Sequence, residues 1–267
     1  MKMRRNFVQL RQRGFTLLEL LLVLGILGLI TGAVFSQMGV AQQRMTTEGV
    51  KLDDFQEARD FVDQFFRDIN QIGDPNPRIA DTTGLLWSPV LATQTNYLWA
   101  SKYINDNRFA MGLVQIGTSS LRFEGSVNGV GNVESVIYAL NGSGSCTLCL
   151  QRSQVDKTYN MDPLGQIVNA NWGTEVNDVV APVIFRYFQT DGTEVIPPTT
   201  GLDYTTQSNA QILANIKTIQ INLTIRNPKV MDQKTGQPIE STFEGEVSLN
   251  NCSMAAVTPY SMGMSCN

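Results

Sequence analysis

The stretch Gly14-Phe15-Thr16-Leu17-Leu18-Glu19 decides how this chain is read, and it is continued by 24 residues, Leu20 to Gln43, without a charge. A run of that length and composition is long enough for a membrane-spanning helix, which needs about 20 predominantly apolar residues. One carboxylate, Glu19, stands near its start. A charged side chain deep in a bilayer costs roughly 2.5 to 3.5 kcal/mol even on the lenient insertion scales, so an acid at this place calls for a function and a partner.

The flanking residues supply a partner. A secretory signal runs from basic region to apolar core to cleavage site, so the apolar core is discarded with it. Here the order is reversed. The basic leader (Lys2, Arg4, Arg5, Arg11, Arg13, with no acids) ends at Gly14, before the apolar run. A cut after Gly14 would keep that run and expose the amine of Phe15, from which Glu19 is the fifth residue. A terminal ammonium titrates near 7.7 to 8.0 and a glutamate near 4.3, so at neutral pH the two groups carry mostly opposite charge. Glu19 in the first turn also suits the positive end of the helix dipole.

Gly14, the aromatic Phe15, Thr16-Leu17-Leu18, Glu19 and the apolar continuation to about Phe35 together resemble the class III signal of type IV pilins and type II secretion pseudopilins. The resemblance implies a prepilin peptidase that cuts after Gly14 on the cytoplasmic face and N-methylates Phe15. It also implies that Glu19 neutralises the Phe15 amine of a neighbouring subunit and so sets the axial register of an incoming protomer. Two plainer readings stay open: a single-pass anchor with an incidental acid, and a removed signal cut near Thr31-Gly32-Ala33.

Composition bounds the remainder. Of the 20 basic residues 5 lie in the leader, and all 24 acids lie after it, so the processed side chains carry a net charge of about −9. Such a balance argues against nucleic acid as a partner. The leader obeys the positive-inside tendency, which puts the amino end in the cytoplasm and the chain beyond about Ser36 on the periplasmic side of a bacterial inner membrane. The expected organisation is a cleaved leader at 1–14, a long helix at 15–72 with its membrane span at about 15–36, and a periplasmic β-rich head at 73–267. That head is large enough to bury its own core.

Beyond the membrane the helix is amphipathic. Phe55, Ala58, Val62, Phe65, Ile69 and Ile72 recur at three- or four-residue steps, with Phe61 and Phe66 widening the stripe, and Asp54, Glu57, Asp60, Asp63, Arg67 and Asp68 are expected on the other faces. Gly73-Asp74-Pro75-Asn76-Pro77 should end it. Gly25, Gly28, Gly32, Gly39 and Gly49 are read either as ordinary membrane-helix glycines or as points of close helix packing.

After a loop-rich stretch to about Phe109 the chain reads as strands. Leu121 to Gly125 and Val133 to Leu140 flank hairpin signals at 126–132, and Val183 to Phe188 forms a third apolar segment. Ile216 to Arg226 alternates, with Ile219, Ile221, Leu223 and Ile225 on one face, and Phe243, Val247 and Leu249 repeat the pattern. Clean alternation argues antiparallel strands with one wet face. The predicted class is therefore α+β, pilin-like: a long N-terminal helix laid across an antiparallel sheet.

The order Asn177-Asp178-Val179-Val180, Phe185-Arg186-Tyr187-Phe188, Asp191-Gly192 and Ile216 to Arg226 is similar to the large minor pilins called PilW and to the J-type minor pseudopilin of type II secretion. That layout implies a low-copy priming or tip subunit. Its partners would be other minor and major pilins or pseudopilins, the inner-membrane assembly platform and the lipid bilayer. An adhesive or DNA-uptake tip, in which the head binds a ligand, belongs to a different class.

Related heads carry acidic residues in a turn such as Ser126 to Glu134, which a hard cation can occupy. Here Ser126 and Val130 stand where acids would be wanted, leaving Asn128, Asn132 and Glu134, so the expectation is a plain hairpin and no metal. Asp191-Gly192 reads as a turn. Four cysteines allow three pairings. The resemblance implies Cys252 with Cys266 as a carboxy-terminal loop, leaving Cys146 with Cys149, while cross-links between the two pairs stay open.

Catalysis finds little support. There is no histidine, which removes the commonest general base and the Ser-His and Cys-His pairs. A redox Cys-x-x-Cys needs a helix amino end, whereas Gly142-Ser143-Gly144-Ser145 precedes this one. A four-thiolate zinc site is not excluded by spacing but is ill suited to an oxidising compartment. Asp53-Asp54 and Asp60-Asp63 read as a solvated helix face, and Trp87, Trp99 and Trp172 as buried or at a subunit contact. No cofactor and no catalytic residue is expected.

Overall fold

A computed structural model describes residues 16–75, 105–141, 143, 146–168, 171–180, 183–231 and 235–249. The leader, Gly14, Phe15, Trp87, Trp99, Cys252 and Cys266 lie outside the described residues. The chain divides into two compact units, 1–50 and 51–267.

Helix α1 runs Leu17–Asn70. In its second-unit part Ala58, Phe61, Phe65 and Ile69 are buried, followed by Ile72 just past its end, while Asp60 and Asp63 are exposed. Each large apolar side chain taken out of water there contributes about 1.5 to 3 kcal/mol. The helix ends at Asn70, two residues short of the expected 72. Gly73 adopts φ +77°, a conformation that costs glycine little, and its N–H donates to Glu124 O at 3.0 Å.

The remaining elements are β1 Leu113–Ile116, β2 Ser120–Gly125, β3 Glu134–Leu140, β4 Leu150–Asp156, β5 Trp172–Val176, β6 Phe185–Gln189, β7 Glu194–Val195, β8 Leu202–Asp203, α2 Gln207–Asn215, β9 Ile216–Met231 and β10 Pro238–Ser248. All described strand pairs are antiparallel. The fold is α+β. Thr206 caps α2, accepting from Asn209 N with its hydroxyl.

Where the sequence pattern pointed to one sheet, the structure has two. One is six-stranded in the order β5-β4-β3-β2-β1-β8, and the other four-stranded in the order β10-β9-β6-β7. Phe65 of α1 fills the seam: its ring stacks on Phe185 of β6 at 5.6 Å and meets Tyr138 of β3 edge-on at 5.5 Å. Tyr187 Oη of β6 donates to Gly117 O in the β1–β2 turn at 2.8 Å, tying the second sheet to the first. One buried helix stripe thus serves two sheets.

Two glycines set how close the helix comes. A Cβ on Gly125 of β2 would stand 2.3 Å from Gln71 O, and one on Gly245 of β10 would stand 2.7 Å from Phe66 Cζ. Ile72 and Gly125 form an isolated antiparallel bridge, so the end of α1 is hydrogen-bonded into the first sheet.

The wet face expected of the strands holds for the second sheet. Ile219, Ile221, Leu223 and Ile225 of β9 are buried, and Glu240, Thr242, Glu244 and Glu246 of β10 face solvent. The first sheet differs. Leu121 and Phe123 of β2 point into the core, yet their neighbours are covered too, because segments 105–112 and 157–168 pack over the other face. Arg122 donates to Leu164 O at 3.2 Å and to Gln166 O at 2.6 Å, and Glu124 is fully buried.

Candidate functional site

The amino end of α1 is built by Thr16. Its carbonyl accepts from Glu19 N at 3.1 Å and Leu20 N at 3.2 Å, and its hydroxyl accepts from Glu19 N at 3.3 Å. These contacts satisfy donors that a helix start otherwise leaves open, and Thr16-Leu17-Leu18-Glu19 has the spacing of a capping box. Glu19 thereby sits in the first helical turn, the only acid there, and its side chain is exposed.

From Leu17 to Val40 the large apolar side chains are exposed on every face of the helix. An 18-residue window of this segment reaches a mean hydropathy of 2.5 and none of it is buried, so the helix is long and apolar enough to cross a membrane. Thr31 donates its hydroxyl to Leu27 O at 2.7 Å, which satisfies that donor within the helix. Nothing stands within 4 Å of a Cβ built on Gly25, Gly28, Gly32, Gly39 or Gly49.

The head grips its part of the helix through a carboxylate that periodicity had put on the solvated side. Asp68 is buried instead. Its Oδ2 accepts from Tyr138 Oη at 2.7 Å and from Arg152 Nε at 2.7 Å, and its Oδ1 from Gln64 Nε2 at 2.7 Å. Burial, then the Asp68 charge, push the Tyr138 phenol well above its ordinary value, so it stays a donor. The signal was present: Phe61, Phe65, Asp68 and Ile72 are spaced four, three and four, so Asp68 lies within the apolar stripe. Glu57, from the same helix, accepts from Asn177 N at 2.8 Å and Asn177 Nδ2 at 3.1 Å.

A second buried pair was also missed. Lys157 Nζ and Glu124 Oε2 lie 2.7 Å apart with both side chains fully buried. Glu124 Oε2 also accepts from Met111 N at 2.9 Å, and Lys157 donates to Phe109 O at 3.0 Å. Burial pushes the Glu124 carboxyl up, against the pull of the Lys157 ammonium. The pair fastens the covering segments to β2.

The 126–134 hairpin turns its oxygens inward to its own backbone. Glu134 Oε2 accepts from Val127 N at 3.0 Å, Asn128 Oδ1 from Val130 N at 2.8 Å, and Ser126 Oγ from Gly131 N at 3.2 Å. Gly129 and Gly131 take positive φ. Asp191-Gly192 forms the β6–β7 turn, with Asp191 Oδ1 accepting from Thr193 N. Cys146 and Cys149 are joined by a disulfide in the β3–β4 connection, with no helix following them. Among the described residues no group of three or more acids or cysteines is placed to hold a metal ion.

Residues 9–35 match the model of the prokaryotic N-terminal methylation motif. No curated protein and no solved structure matches the chain. The match spans Gly14, Phe15 and Glu19 together with the start of the exposed apolar helix, so the chain carries a prepilin-type methylation signal of the type IV pilin and pseudopilin class.

Proposed function

We propose that this chain is a minor pilin that primes or caps a type IV pilus. The observation that carries the reading is Glu19: one carboxylate in the first turn of α1, at the head of an uncharged stretch that runs to Gln43, and the fifth residue of the segment that a cut after Gly14 would leave. In this reading prepilin peptidase removes residues 1–14 and methylates Phe15. The segment from Phe15 to about Ser36 holds the subunit in the inner membrane, with the head on the periplasmic side.

The chemistry of assembly follows from the cost of an unpaired charge in lipid. Glu19 opposite the Phe15 ammonium of a neighbour at ~4 Å gains about 4 kcal/mol at an effective dielectric near 20. A slip of one helical turn, ~5.4 Å, would roughly halve that, so the pair selects one register. Force for extraction from the membrane comes from the assembly machinery, and the head chooses the neighbours. A head comprising most of the chain is bulky for a repeating shaft subunit, which favours a low-copy position.

The test is a clean deletion and a Glu19→Ala variant in the native host. Lost surface filaments with normal secretion support the pilus role, whereas normal filaments with exoproteins trapped in the periplasm would move the protein to type II secretion. Glu19→Ala is expected to be cleaved normally yet to be poorly incorporated. Its normal entry into filaments would refute the register mechanism.

A further inference from the structure

Four described residues other than glycine take positive φ: Asn141, Leu148, Asn160 and Asp178. Asparagine and aspartate tolerate that region, whereas a bulky apolar residue is strained in it by about 1 to 3 kcal/mol. Leu148, at φ +62°, lies inside the ring that the Cys146–Cys149 disulfide closes. Such a conformation persists only where the surroundings impose it. The Leu148 side chain is 41% exposed, so packing holds it weakly and the covalent ring is the main constraint.

The strained residue makes a specific bond. Leu148 O accepts from Val179 N at 2.8 Å, and Asn141 brackets the ring, its N donating to Cys149 O at 2.7 Å and its Oδ1 accepting from Cys149 N at 3.2 Å. Val179 belongs to segment 177–180, which follows β5. That segment is also bonded to β9 of the second sheet, Val180 N to Thr224 O at 2.9 Å and Arg226 N to Asp178 O at 2.9 Å, while Asn177 donates to Glu57 of α1. Both sheets and the helix therefore meet at 177–180, and the disulfide ring latches it to the first sheet.

The two sulfurs differ in access. Cys149 is 2% exposed, with Sγ 3.5 Å from Asn177 Oδ1, whereas Cys146 is partly exposed. Thiol–disulfide exchange proceeds by attack of a thiolate on one sulfur, and access decides which. We propose that Cys146 is the point at which an external dithiol protein reduces this bond, and that reduction unlatches Val179. The attacking thiolate forms a mixed disulfide with Cys146, and the Cys146–Cys149 bond breaks with its electron pair passing to Cys149. Cys149 takes up a proton, and its new S–H has Asn177 Oδ1 as an acceptor. The second thiol of the reductant, deprotonated, then displaces Cys146, which leaves two thiols on this chain and a disulfide on the reductant. With the ring open, Leu148 relaxes to negative φ and its carbonyl turns away from Val179 N.

Hydrogen exchange of the full chain in detergent tests the latch, in a Cys252→Ser/Cys266→Ser background so that only this bond responds. Dithiothreitol should make the Val179 amide exchange at least about tenfold faster while the β2–β3 amides stay protected. Leu148→Gly is the second arm: glycine takes positive φ at little cost, so the same reduction should speed Val179 by less than about threefold. Glutathione followed by iodoacetamide on the natural chain identifies the attacked sulfur, with glutathione expected on Cys146 and the carbamidomethyl group on Cys149. The reverse assignment, or a bond that dithiothreitol leaves intact in the folded chain, would overturn the site. An unchanged Val179 amide after reduction, or a Leu148→Gly protein that responds like its parent, would overturn the latch.

Discussion

Asp68 of α1 and Arg152 of β4 meet inside the head, Oδ2 to Nε, at 2.7 Å, with the carboxylate side chain 1% exposed and the guanidinium 15%. Tyr138 of β3 donates to the same oxygen, so one carboxylate joins the helix to two strands of the first sheet. Asp68→Ala would leave a guanidinium and a phenol without their acceptor. We expect a loss of about 3 to 5 kcal/mol, with Asp68→Asn milder because an acceptor oxygen remains. Denaturant unfolding of the purified variants checks this, and equal losses for the two would contradict it.

The close approach of α1 predicts an ordered pair of glycine effects. Gly125→Ala drives a methyl against the Gln71 carbonyl, a backbone atom, whereas Gly245→Ala meets the tip of the Phe66 ring, which can shift. Overpacking costs about 1 to 3 kcal/mol, and Gly125→Ala should lie at or beyond the upper end. Thermal melts should rank Gly125→Ala well below Gly245→Ala. The reverse order would place the helix end elsewhere.

Glu134 opposes Asp156 across β3 and β4, and its Oε1 has no partner among the described residues. Burial pushes its carboxyl above the ordinary value, aided by Asp156 and opposed by backbone donors at Val127 and Asn128. A raised folded-state value means that its contribution is fully present below the unfolded value near 4.3 and is lost as pH rises through the folded one. Glu134→Gln removes that loss while keeping an acceptor for Val127 N. The variant should therefore gain stability relative to the parent as pH rises above about 4, the unfolded value. A difference independent of pH would refute the assignment.

The Cys146–Cys149 link closes a short loop, and chain-entropy reasoning gives such a loop about 2 kcal/mol. Replacing both cysteines with serine should lower stability by about that amount and leave filament phenotypes intact at permissive temperature. Loss of assembly with an unchanged melting temperature would assign the loop a direct role.

The long helix, its end shortly before Gly73 and the alternation of β9 were legible because each rests on a strong local period. The buried face of β9 and the 126–132 hairpin follow from side-chain alternation and glycine placement. The second sheet was not legible, since no period reports which strands stop pairing. Strand β4, Leu150-Gln151-Arg152-Ser153-Gln154-Val155-Asp156, has too few apolar residues to announce itself, and Gly173 interrupts β5. The cover over Arg122 and Glu124 was not legible, because alternation shows polarity and not what covers it. The partners that cover them, Lys157 and the carbonyls of Leu164 and Gln166, are distant in the chain.

Asp68 differs in kind, because its position in the Phe61, Phe65, Ile72 stripe was readable and polarity alone misdirected it. At the amino end of α1, Glu19 was legible as part of the signal, whereas the capping role of Thr16 emerged only from the structure. Their neighbour Phe15, whose amine is the proposed partner of Glu19, lies outside the described residues.

The most direct measurement is the intact mass and amino-terminal peptide of the protein isolated from membranes of a host that has prepilin peptidase. The account predicts a chain beginning at Phe15 and carrying one added methyl group on its amine. A chain that retains residues 1–14, or one that begins beyond Glu19, would contradict it.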